Sequence, residues 1–240
     1  MANHYFKFKA FTVHQEHCAM KVCTDACVQG AFTAQYLEQT HLVPAYILDI
    51  GAGTGLLSLM LAQKTEALIT AIELDLPAYV QAQQNFSASP WAARLQVASA
   101  DIREWESGRC FDFIITNPPF YEAALKSNNH QRNQAMHATT LNYRELLLAI
   151  QQQLTPTGRF SVLLPYTSFD SFMLQAQQGG YHLQQVLYIR QTPQHDFFRT
   201  VGIFGKEVTQ TITTTMSIYD EEKAYTPEFV SLLKDYYLYL

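Results

Sequence analysis

Short apolar runs, each followed by a stretch with helical spacing, recur through the first half of the chain. Ala45–Ile50, Ala67–Glu73, Arg94–Ala98 and Phe111–Thr116 read as strands. Runs of this length without polar alternation suit strands covered on both faces. Between them, Leu56–Gln63 and Ala78–Phe86 read as helices, the second started by Pro77. Repeated strand–helix alternation predicts an α/β fold built on a parallel sheet. Asn142–Leu154 follows as a helix, Thr157-Gly158 as a turn and Arg159–Leu164 as a strand. Ser168–Gln178 is helical, stopped by Gly179-Gly180, and Tyr181–Arg190 is a strand. Phe198–Phe204 and Val208–Ile218 read as a late antiparallel pair around Gly205-Lys206, and Thr226-Pro227-Glu228 opens a last helix towards Tyr237.

The first residues follow a different period. Tyr5–Lys9 alternates by two and Phe11–Val13 continues it, which predicts a hairpin or two short strands. Thr24-Asp25 can cap a helix over Ala26–Leu37. No internal repeat, low-complexity segment or interdomain linker interrupts the chain. Its 240 residues suit one α/β domain and are too few for two of ordinary size. The expectation is a single domain over 1–240. Residues 1–44 form an N-terminal extension that contributes to substrate recognition, ahead of a core over 45–240.

Composition narrows the setting. A hydrophobic content of 48% with 15% charged residues fits a buried core. The net charge of -5 supplies no global basic field, so a nucleic-acid partner must be met by a local patch. The N-terminus lacks the apolar core of a secretory signal, and no apolar run is long enough to span a bilayer. A cytoplasmic protein is expected. Cys18, Cys23, Cys27 and Cys110 contain no C-x-x-C pair. With His14 and His17 they match no zinc-ligand spacing. Buried, reduced thiols are expected, and no metal.

The chemistry gathers at the ends of the early strands. Gly51, Gly53 and Gly55 lie between a strand and a helix, where a missing Cβ lets the backbone turn tightly against a ligand. A dinucleotide fingerprint requires glycine at 56, where Leu56 stands, and no Gly-Lys-Ser/Thr follows for a P-loop. Asp49-x-Gly51-x-Gly53-x-Gly55 instead resembles the pattern of class I S-adenosyl-L-methionine-dependent methyltransferases. Glu73 ends the second strand, where a carboxylate can accept both hydroxyl hydrogens of a ribose. Asp101 follows the third, placed to accept from an adenine amino group. Asp49 can fix the glycine loop or meet the cationic end of the cofactor's amino acid moiety.

Asn117-Pro118-Pro119-Phe120 leaves the fourth strand as a stiff turn, because proline fixes φ and restrains the residue before it. An amide oxygen and a carbonyl beside a ring suit an –NH2 on a planar group. With the glycine pattern, the motif is similar to that of amino-methyltransferases. The Asn117 side-chain oxygen and the Pro118 carbonyl would accept the two amine hydrogens, and Phe120 would stack on the ring. The acceptor can be adenine N6 in RNA or DNA, or a glutamine amide as in the release-factor enzymes. A non-catalytic cofactor- or RNA-binding protein is a third reading, which the intact Asn117 opposes.

Further strings extend the likeness along nearly the whole chain. Phe6-Lys7-Phe8-Lys9-x-Phe11-Thr12-Val13, Ala19-Met20-Lys21-Val22-Cys23-Thr24-Asp25, Ser89-Pro90-Trp91 and Tyr225-Thr226-Pro227-Glu228-Phe229 resemble the bacterial tRNA1(Val) N6-adenosine methyltransferases. That resemblance implies a Rossmann-like core with a seven-stranded, mostly parallel sheet and an antiparallel late strand. It implies methyl transfer to the adenosine just 3′ of the anticodon. tRNA is then the partner, with no membrane and no obligate protein partner. Family members often carry Gly-Thr-Asp-Gly where this chain has Cys23-Thr24-Asp25-Ala26, and Phe120 replaces a commoner Tyr. Lys21, Thr24, Asp25, Pro119, Tyr121, Arg132 and Phe197 are the candidate substrate contacts, Phe197 as a second face against the base. Lys7, Lys9, Lys126, His130 and His137 could extend basic lips around the pocket.

Overall fold

The computed structural model describes residues 4–18, 20–118 and 141–240. The hairpin comes first: β1 (Tyr5–Lys7) pairs antiparallel with β2 (Thr12–His14). Then follow α1 (Thr24–Gln39), β3 (Tyr46–Ile50), α2 (Leu56–Ala62), β4 (Leu68–Glu73), α3 (Leu76–Ser87), β5 (Leu95–Ser99) and β6 (Phe111–Thr116). The later elements are α4 (Tyr143–Gln153), β7 (Leu154–Pro165), α5 (Tyr166–Gln178), β8 (His182–Arg190), β9 (Phe197–Gly205), β10 (Ile212–Ser217) and α6 (Pro227–Leu233).

The main sheet runs β10-β8-β9-β7-β6-β3-β4-β5. β3, β4, β5, β6 and β7 are parallel, and β9 enters antiparallel between β7 and β8. The sheet has eight strands where the resemblance implied seven, and each of the eight corresponds to a run read as a strand in the sequence. The predicted pairing of the last two strands is corrected. β9 has both edges occupied by β7 and β8, so β10 crosses to the free edge of β8 and runs parallel to it, Ile212 opposite Gln185.

Two apolar layers cover the sheet. One holds the hairpin aromatics with α1, α2 and α6; the other holds α4 and α5. Phe113 and Ile115 of β6 face the first layer while Ile114 faces the second, the period-two alternation of a strand buried on both sides. α4 begins with a capping box, Asn142 accepting from the Glu145 N–H at 2.9 Å and Glu145 accepting from the Asn142 N–H at 3.0 Å.

The N-terminal extension is bound into the core. Asn85 on α3 accepts from the His14 N–H and donates to the His14 carbonyl, both at 2.9 Å, and also donates to the Thr54 carbonyl. Phe8 stacks on Phe11 at 4.5 Å, and Phe11 meets Trp91 edge-on. The expected helix towards Tyr237 ends earlier, at Leu233. The chain then turns so that Tyr236 and Tyr237 bury against the first layer, the Tyr236 hydroxyl donating to the Met60 carbonyl at 3.2 Å. Thr24-Asp25 are not the cap of α1. Cys23 holds that position without a side-chain capping bond, and both residues already lie in the first turn. Buried thiols hold for Cys18 and Cys27, but Cys23 is half-buried and Cys110 is exposed in the loop before β6.

Candidate active site

A cavity of about 600 Å³ opens at the carboxyl ends of β3, β4, β5 and β6. Such crevices are where open α/β sheets take their ligands, and the volume is in the range of a cofactor site. Its wall combines the turn after β3 (Gly51–Thr54), Glu73–Asp75, Ala100–Arg103, Thr116–Pro118 and Leu141. Cys18, Met20–Cys23 and Ala26 close it from the N-terminal side.

The glycine turn is built by backbone conformation. Gly51, Gly53 and Gly55 have φ of 73°, 55° and 80°, a region disfavoured for residues with a Cβ. At Gly55 space is a second constraint, since a Cβ would stand 2.4 Å from the Phe86 ring. Gly51 and Ala52 donate to the Ile72 carbonyl at 2.9 and 3.1 Å, which pins the turn to β4.

The acids divide into different tasks. Glu73 accepts from the Gly53 N–H at 2.7 Å through one oxygen and from the Asp75 N–H at 2.8 Å through the other. Each oxygen keeps a second lone pair, and Glu73 lines the cavity, so the carboxylate has the capacity to accept from a vicinal diol. Asp49 lies fully buried beneath the turn and off the cavity wall. It accepts from the Ser58 N–H at 3.1 Å and the Ser58 hydroxyl at 2.7 Å, which ties it to the first turn of α2 just after the glycine turn. Burial pushes its carboxyl up to about 7, against the lowering effect of the Ser58 bonds and with the Glu73 charge adding to the rise. Asp101 lines the cavity but does not stand as a free acceptor. Arg103 forks onto it, Nε at 3.0 Å from both oxygens and Nη2 at 2.5 Å, and the Arg103 N–H donates at 2.9 Å. Those bonds hold the Asp101 carboxyl below its ordinary range.

Asn117 and Pro118 stand on the same wall as the glycine turn. The Asn117 side-chain oxygen is buried and has no hydrogen-bond partner among the described residues. An unpaired buried acceptor is costly, and the residue that carries it lines the cavity. The residues present thus fit a nucleoside-bearing cofactor at Glu73 and the glycines.

Of the expected substrate contacts, Lys21 is on the wall, and Thr24 and Asp25 sit close by at the start of α1. Asp25 is engaged by Arg199, whose Nε lies 2.9 Å from its Oδ2. Phe197 is not among the residues lining this cavity; it packs against Tyr166 at 5.5 Å and Tyr188 at 5.6 Å, with the Arg190 guanidinium over its ring. Pro119, Phe120, Tyr121, Lys126, Arg132, His130 and His137 lie outside the described residues. Sequence reasoning missed Cys18, Met20 and Val22 as wall residues, and Arg103 as the partner of Asp101. The i, i+2 spacing of Asp101 and Arg103 after a strand end was the signal available for the last. Burial pushes the Cys18 thiol up to about 11 and the Cys23 thiol up to about 12, so both are protonated at neutral pH. No helix among the described residues is long and apolar enough to cross a membrane.

Comparison with known proteins agrees with this geometry. The methyltransferase small domain family matches residues 30–181. The chain is 41% identical over 241 residues to the tRNA1(Val) (adenine(37)-N6)-methyltransferase of Dyadobacter fermentans, with 98% of each chain covered. It is 38% identical over 238 residues to the enzyme of the same name from Phocaeicola vulgatus, with 99% of each covered. Among solved structures, a predicted O-methyltransferase from Agrobacterium tumefaciens superposes with a TM-score of 0.64 at 17% identity, covering 88% of this chain and 96% of that one. At that identity the likeness speaks for the fold, a class I S-adenosylmethionine-dependent methyltransferase core. By sequence along almost its entire length, the chain belongs to the tRNA1(Val) (adenine(37)-N6)-methyltransferase family.

Proposed function

We propose that this protein methylates N6 of an adenosine in tRNA, the one 3′ of the anticodon of tRNA1(Val), with S-adenosyl-L-methionine as donor. The observation that carries the reading is the unpaired side-chain oxygen of Asn117, a residue that lines the same cavity as the glycine turn and Glu73. The bound cofactor supplies an electrophilic methyl carbon on a sulfonium sulfur. Glu73 holds the ribose hydroxyls, and Gly51, Gly53 and Gly55 let the backbone lie against the cofactor. Asp49 acts from beneath, keeping the turn in place through Ser58.

The N6 lone pair is delocalised into the purine ring and is weakly nucleophilic. Asn117 and the Pro118 carbonyl accept the two amine hydrogens and turn that lone pair towards the methyl group. Alignment then supplies much of the rate. The two oxygen dipoles face the positive charge that grows on nitrogen. The surplus proton leaves to water, and no strong general base is required. Phe120 supplies a ring face for the base, and Pro119 stiffens the corner. Lys21, Thr24 and Asp25 of the N-terminal extension, together with Tyr121 and Arg132, contribute on the RNA side and to the choice of substrate. The adenosine must be extruded to reach the cavity, at a cost of a few kcal/mol. The compartment is the cytoplasm.

The test is incubation of the purified protein with tRNA1(Val) transcript and labelled cofactor, followed by nucleoside digestion. N6-methyladenosine at the position 3′ of the anticodon, absent when that adenosine is replaced by guanosine, is the expected result. Labelling of a release-factor glutamine in place of tRNA would refute the reading.

A further inference from the structure

The end of β6 is held from the side by a residue outside the motifs and outside the cavity wall. Gln29 lies in α1 with no exposed surface, among the apolar neighbours Val28, Ala31 and Phe32. Its Nε2 donates to the Thr116 carbonyl at 2.9 Å. That carbonyl belongs to the peptide joining Thr116 to Asn117. The Thr116 hydroxyl donates in turn to the Ile50 carbonyl, also at 2.9 Å, and Ile50 is the residue before Gly51. A line of two hydrogen bonds therefore ties α1 to the acceptor corner and the acceptor corner to the cofactor turn.

The position of this line matters. The ladder registers of β6 with β3 and with β7 both end at Thr116. Pro118 has no N–H to continue a ladder. The Gln29 bond fixes the peptide plane at the point where the sheet stops doing so. The rest of the Gln29 amide is idle: its Oε1 is buried without a partner among the described residues. An apolar residue would fill this helix face without that cost. The amide's one bond in the described structure is to the peptide that carries Asn117.

We propose that Gln29 is a positioning residue for methyl transfer, setting the Thr116–Asn117 peptide so that the Asn117 side-chain oxygen aims at the acceptor amine. The inference rests on the role given to Asn117 above. Gln29 touches neither substrate nor cofactor, so its removal acts on the alignment of the reacting groups.

Gln29→Met, Gln29→Glu and Asn117→Ala are compared with the parent enzyme for melting temperature, cofactor affinity, kcat and KM on tRNA1(Val) transcript. For Gln29→Met the expected result is kcat lower by about 10- to 100-fold, with cofactor Kd and tRNA KM within about threefold. In Gln29→Glu an ionised carboxylate cannot donate to Thr116, whereas the protonated acid can. Its kcat relative to the parent should rise as pH falls from 8 to about 6. A purely structural glutamine would change the melting temperature and leave both kcat and this ratio unmoved. Parental kcat in a folded Gln29→Met overturns the proposal. Should Gln29→Met not fold, a flat pH ratio for Gln29→Glu overturns it instead. Asn117→Ala separates the two levels: parental turnover in that variant refutes the site reading itself. Loss of turnover in Asn117→Ala beside a fully active Gln29→Met refutes the Gln29 role alone.

Discussion

The Gly53 N–H and the Glu73 carboxylate are joined at 2.7 Å across twenty residues of sequence. The bond makes the glycine turn and the acid at the end of β4 one unit. Glu73 uses one lone pair of each oxygen on a backbone donor, which leaves a second on each.

Glu73→Gln keeps the size of the side chain and removes its charge. Hydrogen bonds to charged groups contribute roughly 1.5–3 kcal/mol, so cofactor affinity should fall at least about tenfold. Glu73→Ala also frees the Gly53 N–H, and its loss should be greater. Titration calorimetry with S-adenosylmethionine measures both. Unchanged affinity in Glu73→Ala would remove Glu73 from the cofactor site.

Gly55→Ala tests the other half of that unit. The new Cβ would meet the buried Phe86 ring at 2.4 Å in a backbone with φ of 80°. Left-handed backbone costs an alanine about 1–2 kcal/mol, and overpacking about 1–3 more. A loss near 3 kcal/mol is expected from denaturant unfolding. Adding Phe86→Leu should return the packing part and leave the backbone part, giving non-additive single and double variants.

These relationships were unequally visible in the sequence. The strand–helix order and the glycine turn were legible because short apolar runs and glycine spacing are local signals, and the strands from Ala45 to Thr116 emerge within a residue or two of their expected bounds. The meeting of Asn117 with the glycines was legible as well, since parallel strands deliver their carboxyl ends to one edge. What escaped was long-range. The Val208–Ile218 segment carries the alternation of a strand but no record of which edge is free, and β9 had already filled the neighbouring place. The packing of Tyr166 and Tyr188 against Phe197 is likewise set by the fold and has no local signal. Gln29 sits in a helix whose pattern looks apolar, and its partner is 87 residues away.

Arg199 and Asp25 illustrate the same point and yield a third prediction. Their 2.9 Å bond links β9 to the first turn of α1, and the Asp25 side chain is only 12% exposed. Removing one partner leaves the other charge poorly solvated, which costs several kcal/mol when burial is complete and less here. Asp25→Ala or Arg199→Ala should each lose about 2 kcal/mol, and the double variant less than their sum. Chemical denaturation of the four proteins gives the coupling. Additive losses would reduce the pair to a surface contact.

Asp49 sets the pH dependence. Burial lifts its carboxyl to about 7, whereas in the unfolded chain it titrates at the ordinary value of 3.8. Between those limits the native state holds a proton that the unfolded chain has released. Stability then falls as pH rises, because the state with more bound protons is disfavoured by their removal. The Asp49 contribution is complete below about pH 4, declines from pH 4 to 7, and is lost above 7. The slope approaches about 1.4 kcal/mol per pH unit in the middle of the window. Asp49→Asn keeps an acceptor for Ser58 and cannot titrate. The difference between parent and variant unfolding free energies should therefore fall by a few kcal/mol from pH 4 to 7, while contributions from acids not coupled to it, such as Asp101 and Asp235, cancel. Parallel curves across that window would mean that Asp49 is charged in the folded protein throughout. The Ser58 bonds would then outweigh its burial.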